Sequence, residues 1–121
     1  MKSIISLVSL FLFASCANVE TGRHAALVGN WLYADAVQSC RYSFESDGTF
    51  RGEVRMNNRP VSRFKGTWAV KGDALLYRYI SDVFGRIPAG ATDRDRLLEI
   101  GKDSFLIQAA NGDQRRYRRV R

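Results

Sequence analysis

Residues 40–56 read CRYSFESDGTFRGEVRM, and this stretch decides the fold. Apolar and polar residues alternate on both sides of Ser46-Asp47-Gly48. The apolar positions are Cys40, Tyr42 and Phe44 before the turn, and Phe50, Gly52, Val54 and Met56 after it. A period of two is typical of a strand with one buried face, and Asp-Gly between two such runs is a hairpin signal. The stretch therefore predicts a β-hairpin.

Turn signals recur along the rest of the chain at the spacing of an all-β meander. The segments between them predict six more strands, at residues 30–34, 61–70, 75–80, 96–100, 104–109 and 114–120. The 3.6-residue period of a helix is absent from the sequence, apart from a short turn near residues 25–28. Eight short antiparallel strands favour an all-β fold, a single eight-stranded up-and-down barrel that leaves no free sheet edge. A β-sandwich is the alternative.

Two groups of residues resemble a known family. Gly29-Asn30-Trp31 resembles the Gly-x-Trp that begins the first strand of lipocalins, fatty-acid-binding proteins and avidins. Tyr42-Ser43-Phe44, with the later Gly66-Thr67-Trp68, resembles small bacterial lipocalin-like domains. The resemblance implies a lipocalin-like barrel, closed at one end by a cation of the last strand that packs over the Trp. Because the last strand ends beside the start of the first, we expect Arg119 to be that cation on Trp31.

The N-terminus has the features of an export signal. Lys2 precedes an apolar run at residues 4–14, which is shorter than the roughly 20 residues of a membrane-spanning helix. Phe13-Ala14-Ser15-Cys16 resembles a bacterial lipobox, which implies cleavage before Cys16 and lipidation of its sulfur. The expected organisation is a lipoprotein signal peptide over residues 1–15, a lipid-anchored tether over 16–27 and the barrel over 28–121.

This organisation predicts a bacterial cell-envelope lipoprotein, held on the membrane at Cys16 and facing the periplasm or the exterior. The alternative is ordinary cleavage after Ala17, which would give a soluble secreted or periplasmic protein. The net charge of +7 would favour binding to nucleic acid. An exported protein does not meet nucleic acid as its usual partner, so we expect no nucleic-acid binding.

Catalysis and metal binding are not expected. The single His, His24, lies in the predicted tether, and two Cys with one His do not make a zinc site. No Gly-x-Ser-x-Gly sequence accompanies that His, so a Ser-His-Asp triad is not supported either. We therefore expect a protein that is not an enzyme and has no metal and no cofactor.

The candidate binding site is the end of the barrel opposite Trp31. The longest predicted connection, residues 81–95, falls at that end and would border an open mouth. The predicted ligand-binding residues are Tyr33, Met56, Phe64, Tyr79, Phe84, Ile87 and Arg115. They suit a small apolar or amphiphilic ligand whose anionic group is bound by Arg115. The alternative is a filled barrel that acts as an interaction or inhibitor module for another envelope protein.

Overall fold

A computed structural model describes residues 21–121 as one helix followed by eight strands. The predicted signal peptide, the predicted lipidation site Cys16 and the first part of the predicted tether lie outside the described residues. The strands are β1 Gly29–Ala34, β2 Gln38–Phe44, β3 Thr49–Met56, β4 Arg59–Lys71, β5 Ala74–Asp82, β6 Thr92–Ile100, β7 Ser104–Gln108 and β8 Gln114–Val120. Each strand pairs antiparallel with the next, and β8 pairs with β1, so the sheet closes on itself. The up-and-down barrel is confirmed, and the sandwich is wrong.

Alternation along the strands places the core inside the barrel. In β4, for example, Phe64, Gly66, Trp68 and Val70 are buried, while the alternate residues Lys65, Thr67 and Ala69 are exposed or only partly covered. The largest fully buried side chains are Trp31, Phe44 and Phe105. Aromatic side chains of this size bury about 150–250 Å² each and dominate the hydrophobic stabilisation of a small core.

The connections alternate between two ends of the barrel. Residues 45–48, 72–73 and 101–103 lie at the end that carries Trp31, which we call the closed end. Residues 35–37, 57–58, 83–91 and 109–113 lie at the other end, which we call the mouth.

Helix α1, residues 21–27, corrects the predicted tether from residue 21 onward. Leu27 is fully buried, and the ring of His24 stacks on Trp68 with centroids 4.2 Å apart. Arg23 donates a hydrogen bond to the carbonyl of Gly72 in a closed-end turn. His24 and Leu27 are three residues apart and therefore share one helix face, but seven residues are too few for the period to show in the sequence. Within residues 21–121, no helix combines the length and apolar character needed to cross a membrane.

Strand β6 begins at Thr92, four residues before the predicted start at Arg96. The predicted connection 81–95 is therefore reduced to residues 83–91. The extra strand residues read TDRD, and Asp95 occupies the inward position that an apolar residue would normally hold. A strand whose inward positions are acidic has the composition of a loop, which explains the error.

Candidate functional site

The closed end is sealed by Trp31 and Arg119. Trp31 is 0% exposed, and the Cζ atom of Arg119 lies 4.2 Å from the centre of its ring, the contact expected from strand direction. The guanidinium of Arg119 donates three hydrogen bonds, at 2.8–3.0 Å, to the carbonyls of Ala26, Val28 and Lys102. This end is a structural closure with its donors already engaged.

Gly29 makes room for this closure. Its φ is +137°, and a Cβ atom at this position would lie 2.3 Å from Nη1 of Arg119. A side chain here would therefore displace the guanidinium from Trp31. A glycine is therefore required at the first position of Gly-x-Trp in this chain, because a side chain there would collide with Arg119.

Tyrosines fill the middle and the mouth half of the interior. All five tyrosines of the chain take part, namely Tyr33, Tyr42, Tyr77, Tyr79 and Tyr117. The ring of Tyr42 on β2 lies 5.8 Å from Tyr77 on β5 and 5.5 Å from Tyr117 on β8, measured between centroids. Side chains from opposite walls thus meet inside the barrel. The interior at this level is packed rather than hollow.

The tyrosines keep their protons at neutral pH. Burial raises the pKa of Tyr42, Tyr77, Tyr79 and Tyr117 above the usual value of a phenol. For Tyr33, the pKa is raised first by its hydrogen bond to Asp35, whose oxygen accepts at 2.7 Å. Each phenol remains able to donate a hydrogen bond.

Asp95 is an acidic group inside this aromatic interior. Its Oδ2 accepts a hydrogen bond from the Tyr77 hydroxyl at 3.0 Å. Burial raises the pKa of Asp95 to about 6, and the nearby Asp93 adds to the shift, while the Tyr77 hydrogen bond opposes it. Within residues 21–121, no Lys or Arg nitrogen lies within 4.0 Å of this carboxylate.

Arg115 lies on the same inner face of β8 as Tyr117, nearer the mouth. Its Cζ is 5.3 Å from the centre of the Tyr33 ring, and its Nη1 is 4.0 Å from the thiol sulfur of Cys40. Burial by itself lowers the pKa of Arg115, but Tyr117 and Cys40 outweigh burial and leave the pKa above its usual value. Among the described residues, no carboxylate lies within 4.0 Å of this guanidinium. Arg115 is therefore a half-buried cation without a close ion pair there, and the carboxylates of Asp35 and Asp95 attract it only from beyond 4.0 Å.

The connection 83–91 is held in place by Asp82. Five donors converge on its carboxylate at 2.7–3.1 Å: the Ser62 hydroxyl and the backbone N–H groups of Arg63, Phe84, Arg86 and Ile87. Burial raises the pKa of Asp82, but the hydrogen bonds, led by Ser62, outweigh it and lower the pKa to about 2. The loop is thus an ordered border of the mouth.

The other predicted ligand-binding residues divide into three groups. Phe64 and Tyr79 are buried, at 4% and 7% exposure, with ring centroids 5.3 Å apart, so they belong to the core. Ile87 packs against that core from the loop. Met56 and Phe84 are exposed, at 37% and 45%. Met56 keeps the phase of Val54 along β3, opposite Gln38, and is exposed because it is the last residue of the strand at the mouth.

The exposed large apolar side chains all lie at or near the mouth. They are Val37, Met56, Ile80, Val83 and Phe84. Val37 and Met56 are neighbours, since the amide of Asn57 donates to the Val37 carbonyl at 2.7 Å. The guanidinium of Arg63 lies over the Phe84 ring, with Cζ 5.8 Å from its centre. We call these five residues the apolar rim.

Sequence reasoning missed Asp82 and Asp95. Asp95 is two positions before the inward Leu97, so the period of two would have placed it inside had the strand been extended. For Asp82 no sequence signal exists, because its five donors come from two separate segments. No group of three His, Cys, Asp or Glu side chains within residues 21–121 is placed to hold a metal ion.

Comparison with solved structures identifies the architecture. The chain is similar to a lipocalin-like protein from Bacteroides uniformis, known from a crystal structure, with a TM-score of 0.57 and 17% sequence identity. The match covers 78% of this chain and 99% of that one. No protein-family model and no curated protein matches the sequence. The fold is lipocalin-like, as the Gly-x-Trp strand implied.

Proposed function

We propose that this chain is a cell-envelope lipoprotein whose barrel binds the anionic group of a small amphiphile at the mouth. The observation that carries the proposal is Arg115, a half-buried inward cation with no carboxylate within 4.0 Å among the described residues. A partly buried charge without a close ion pair is costly, and an arriving carboxylate or phosphate would supply direct hydrogen bonds that the more distant Asp35 and Asp95 do not.

The apolar part of such a ligand would lie along the rim rather than deep in the barrel. The packed tyrosines leave the interior filled, whereas Val37 and Met56 are exposed and close to the cation. Cys40, which contacts Arg115, accepts a hydrogen bond from Gln38 at 3.2 Å, and Gln38 pairs with Met56 across the β2–β3 ladder. Arg115 is thus connected to this part of the rim through contacts of Cys40 and Gln38.

Titration with fatty acids and lysophospholipids tests the binding proposal. We expect micromolar binding by the wild type and at least tenfold weaker binding by Arg115→Ala. The matched control is Arg118→Ala on the same strand, which removes an exposed guanidinium and should leave the affinity unchanged within twofold. Absence of binding at micromolar concentration would refute the proposal, as would equal affinity in the Arg115→Ala variant.

The lipoprotein part of the proposal has a geometric consequence. Helix α1 begins five positions after Cys16 and lies against the closed end, so the lipid would be within about 17 Å of that end. The mouth would then point away from the membrane. A Cys16→Ser variant should lose membrane association and remain unprocessed before residue 16. Unchanged fractionation of this variant would favour the soluble secreted alternative.

The apolar rim favours a second candidate, a filled barrel that binds another envelope protein through the mouth. Five exposed large apolar side chains gathered at one end are the kind of patch that marks interaction sites. Native mass spectrometry of protein purified from its own membrane separates the two candidates. A retained small molecule would support the first, and a retained protein subunit would support the second.

A further inference from the structure

A groove lies on the outside of the barrel. Its volume is about 540 Å³, and it runs over the outer face of β4, β5 and β6. The register places its outward residues in two rows across these strands, Thr67–Arg78–Thr92 and Ala69–Leu76–Arg94. Leu76 and Ala69 form an apolar floor, with guanidinium and hydroxyl groups beside it. Ala110, in the β7–β8 connection, borders the groove on its far side.

Beside this groove, β6 has an open edge. Residues 92–96 pair with β5, but the ladder to β7 starts only at the Arg96–Gln108 pair. The backbone of Thr92 to Asp95 therefore has no strand on its second side within the described chain. Its amide at Arg94 donates instead to the Asp93 carboxylate at 2.7 Å, a local bond of the kind that an unpaired edge permits. Open edges are the places where extended peptides add to a sheet.

The charges around the groove are unbalanced. Within residues 21–121, the guanidinium groups of Arg78 and Arg94 have no ion pair, whereas Arg96 on the same face is paired with Asp73 at 3.1 Å. Asp93 is the carboxylate that lines the groove, and the Arg94 amide already engages it. The groove thus combines two free cations with an apolar floor.

We propose that this groove binds an extended acidic segment of a partner protein. Main-chain groups of the segment would pair with the open edge of β6, its acidic side chains would meet Arg94 and Arg78, and its apolar side chains would cover Leu76. The open edge favours a polypeptide over other anions, because it offers hydrogen bonds that only a second backbone can match along its length. This surface lies on the outer face of the barrel, next to the mouth at Ala110, and neither Arg115 nor any residue of the apolar rim lines it.

Fluorescence anisotropy with labelled hexapeptides tests the proposal on the full chain. The peptides are an alternating Glu-Val sequence, a Lys-Val sequence of the same length, and the Glu-Val sequence with alternate backbone nitrogens methylated. We expect the Glu-Val peptide to bind at least tenfold more tightly than either of the others, since the second has the wrong charge and the third cannot pair along an edge.

Charge reversal locates the binding. The double variant Arg78→Glu, Arg94→Glu should weaken the Glu-Val peptide at least tenfold. The control Arg51→Glu, Arg118→Glu makes the same change in net charge on other outward positions and should change the affinity less than twofold. Equal losses in both variants would show attraction to overall charge and overturn the proposal. Full binding of the methylated peptide would also overturn it, because the groove would then recognise anions without strand pairing.

Discussion

At the closed end a tryptophan is fully buried beneath an arginine that donates three hydrogen bonds to backbone carbonyls, whereas at the mouth a phenylalanine remains 45% exposed and an arginine has no carboxylate within 4.0 Å in the described chain. The same eight strands supply both ends. Trp31 and Phe84 are both large aromatics, and Arg119 and Arg115 lie on one face of β8, four residues apart. The two arginines differ in their partners. Arg119 donates to three backbone carbonyls, whereas Arg115 has no carboxylate within 4.0 Å in the described chain.

The closed end therefore contributes mainly to stability, and the mouth offers the groups that could bind a ligand. At the closed end, three of the five N–H donors of Arg119 bind backbone carbonyls, so fewer remain for a ligand. The mouth leaves a cation and several apolar side chains uncovered, which lowers its contribution to folding but leaves groups available for recognition. Substitutions at matched positions of the two ends test this separation.

The largest expected effect comes from truncating the two aromatics. Trp31→Ala should lower the free energy of unfolding by about 3–5 kcal/mol, because it removes a fully buried ring and leaves a cavity. Phe84→Ala should cost less than about 1 kcal/mol, because much of that ring is already in solvent. Chemical denaturation of both variants measures the two values. Similar losses would show that the mouth contributes to stability as much as the closed end does.

The next effect concerns Arg119. Arg119→Met should cost about 2 kcal/mol, because the carbonyls of Ala26 and Val28 lose their donor and Trp31 loses its cation. Arg118→Met, one position earlier and outward, should change stability by less than about 0.5 kcal/mol. Thermal unfolding at low and high salt checks the pair. Equal shifts for both variants would mean that Arg119 acts only as a surface charge.

In the mouth half, one substitution should raise the free energy of unfolding instead of lowering it. Because the pKa of Asp95 is raised to about 6, its protonated form favours folding fully below about pH 4, and this contribution is lost as the pH rises through 6. Asp95→Asn should therefore stabilise the protein at pH 7.5 by about 1–2 kcal/mol and change little at pH 4.

The comparison that checks this is unfolding of Asp95→Asn and Asp93→Asn at both pH values. The stabilisation at pH 7.5 relative to pH 4 should be clearly larger for Asp95→Asn, because burial is the main cause of its raised pKa and the more exposed Asp93 adds only a smaller part. A destabilised Asp95→Asn at pH 7.5 would show that the Tyr77 hydrogen bond outweighs the burial of the charge.

The smallest expected effect is local. Asp82→Asn should speed amide exchange at Phe84 and Ile87 severalfold while leaving the global unfolding temperature nearly unchanged. The pKa of Asp82 is lowered to about 2, so in the wild type the same loosening should appear only as the pH falls from about 4 through 2. Asp73→Asn, a carboxylate at a closed-end turn, is the control. Equal exchange rates in wild type and Asp82→Asn would show that the loop does not depend on this carboxylate.

The repetitive part of the fold could be predicted from the sequence. Strands with one apolar face, such as β2 and β3, follow from alternation, and the number of strands follows from the turns between them. The position of Arg119 over Trp31 followed from strand direction and the Gly-x-Trp resemblance together. These features follow from the local alternation of residues or from the alternating direction of successive strands.

The remaining features depend on contacts that no local pattern contains. Met56 is exposed because β3 ends there at the mouth, and α1 is fixed by His24 and Leu27 packing on a barrel end made of distant residues. The upper part of β6 has the composition of a loop because Asp95 faces inward toward Tyr77. In each case tertiary surroundings override the local signal.

The hydrogen bonds of Arg119 join parts of the chain that are synthesised far apart in time. Its guanidinium binds carbonyls 91 and 93 positions earlier in the sequence, whereas the neighbouring strands of the meander pair over short separations. During synthesis from the N-terminus, the early hairpins can form first. Trp31 is covered only after β8, which carries Arg119, has been synthesised. Closing such a long loop is slow compared with local pairing. The nascent chain therefore passes through an open sheet with an uncovered tryptophan, and its vulnerability to aggregation ends only when the last strand is in place.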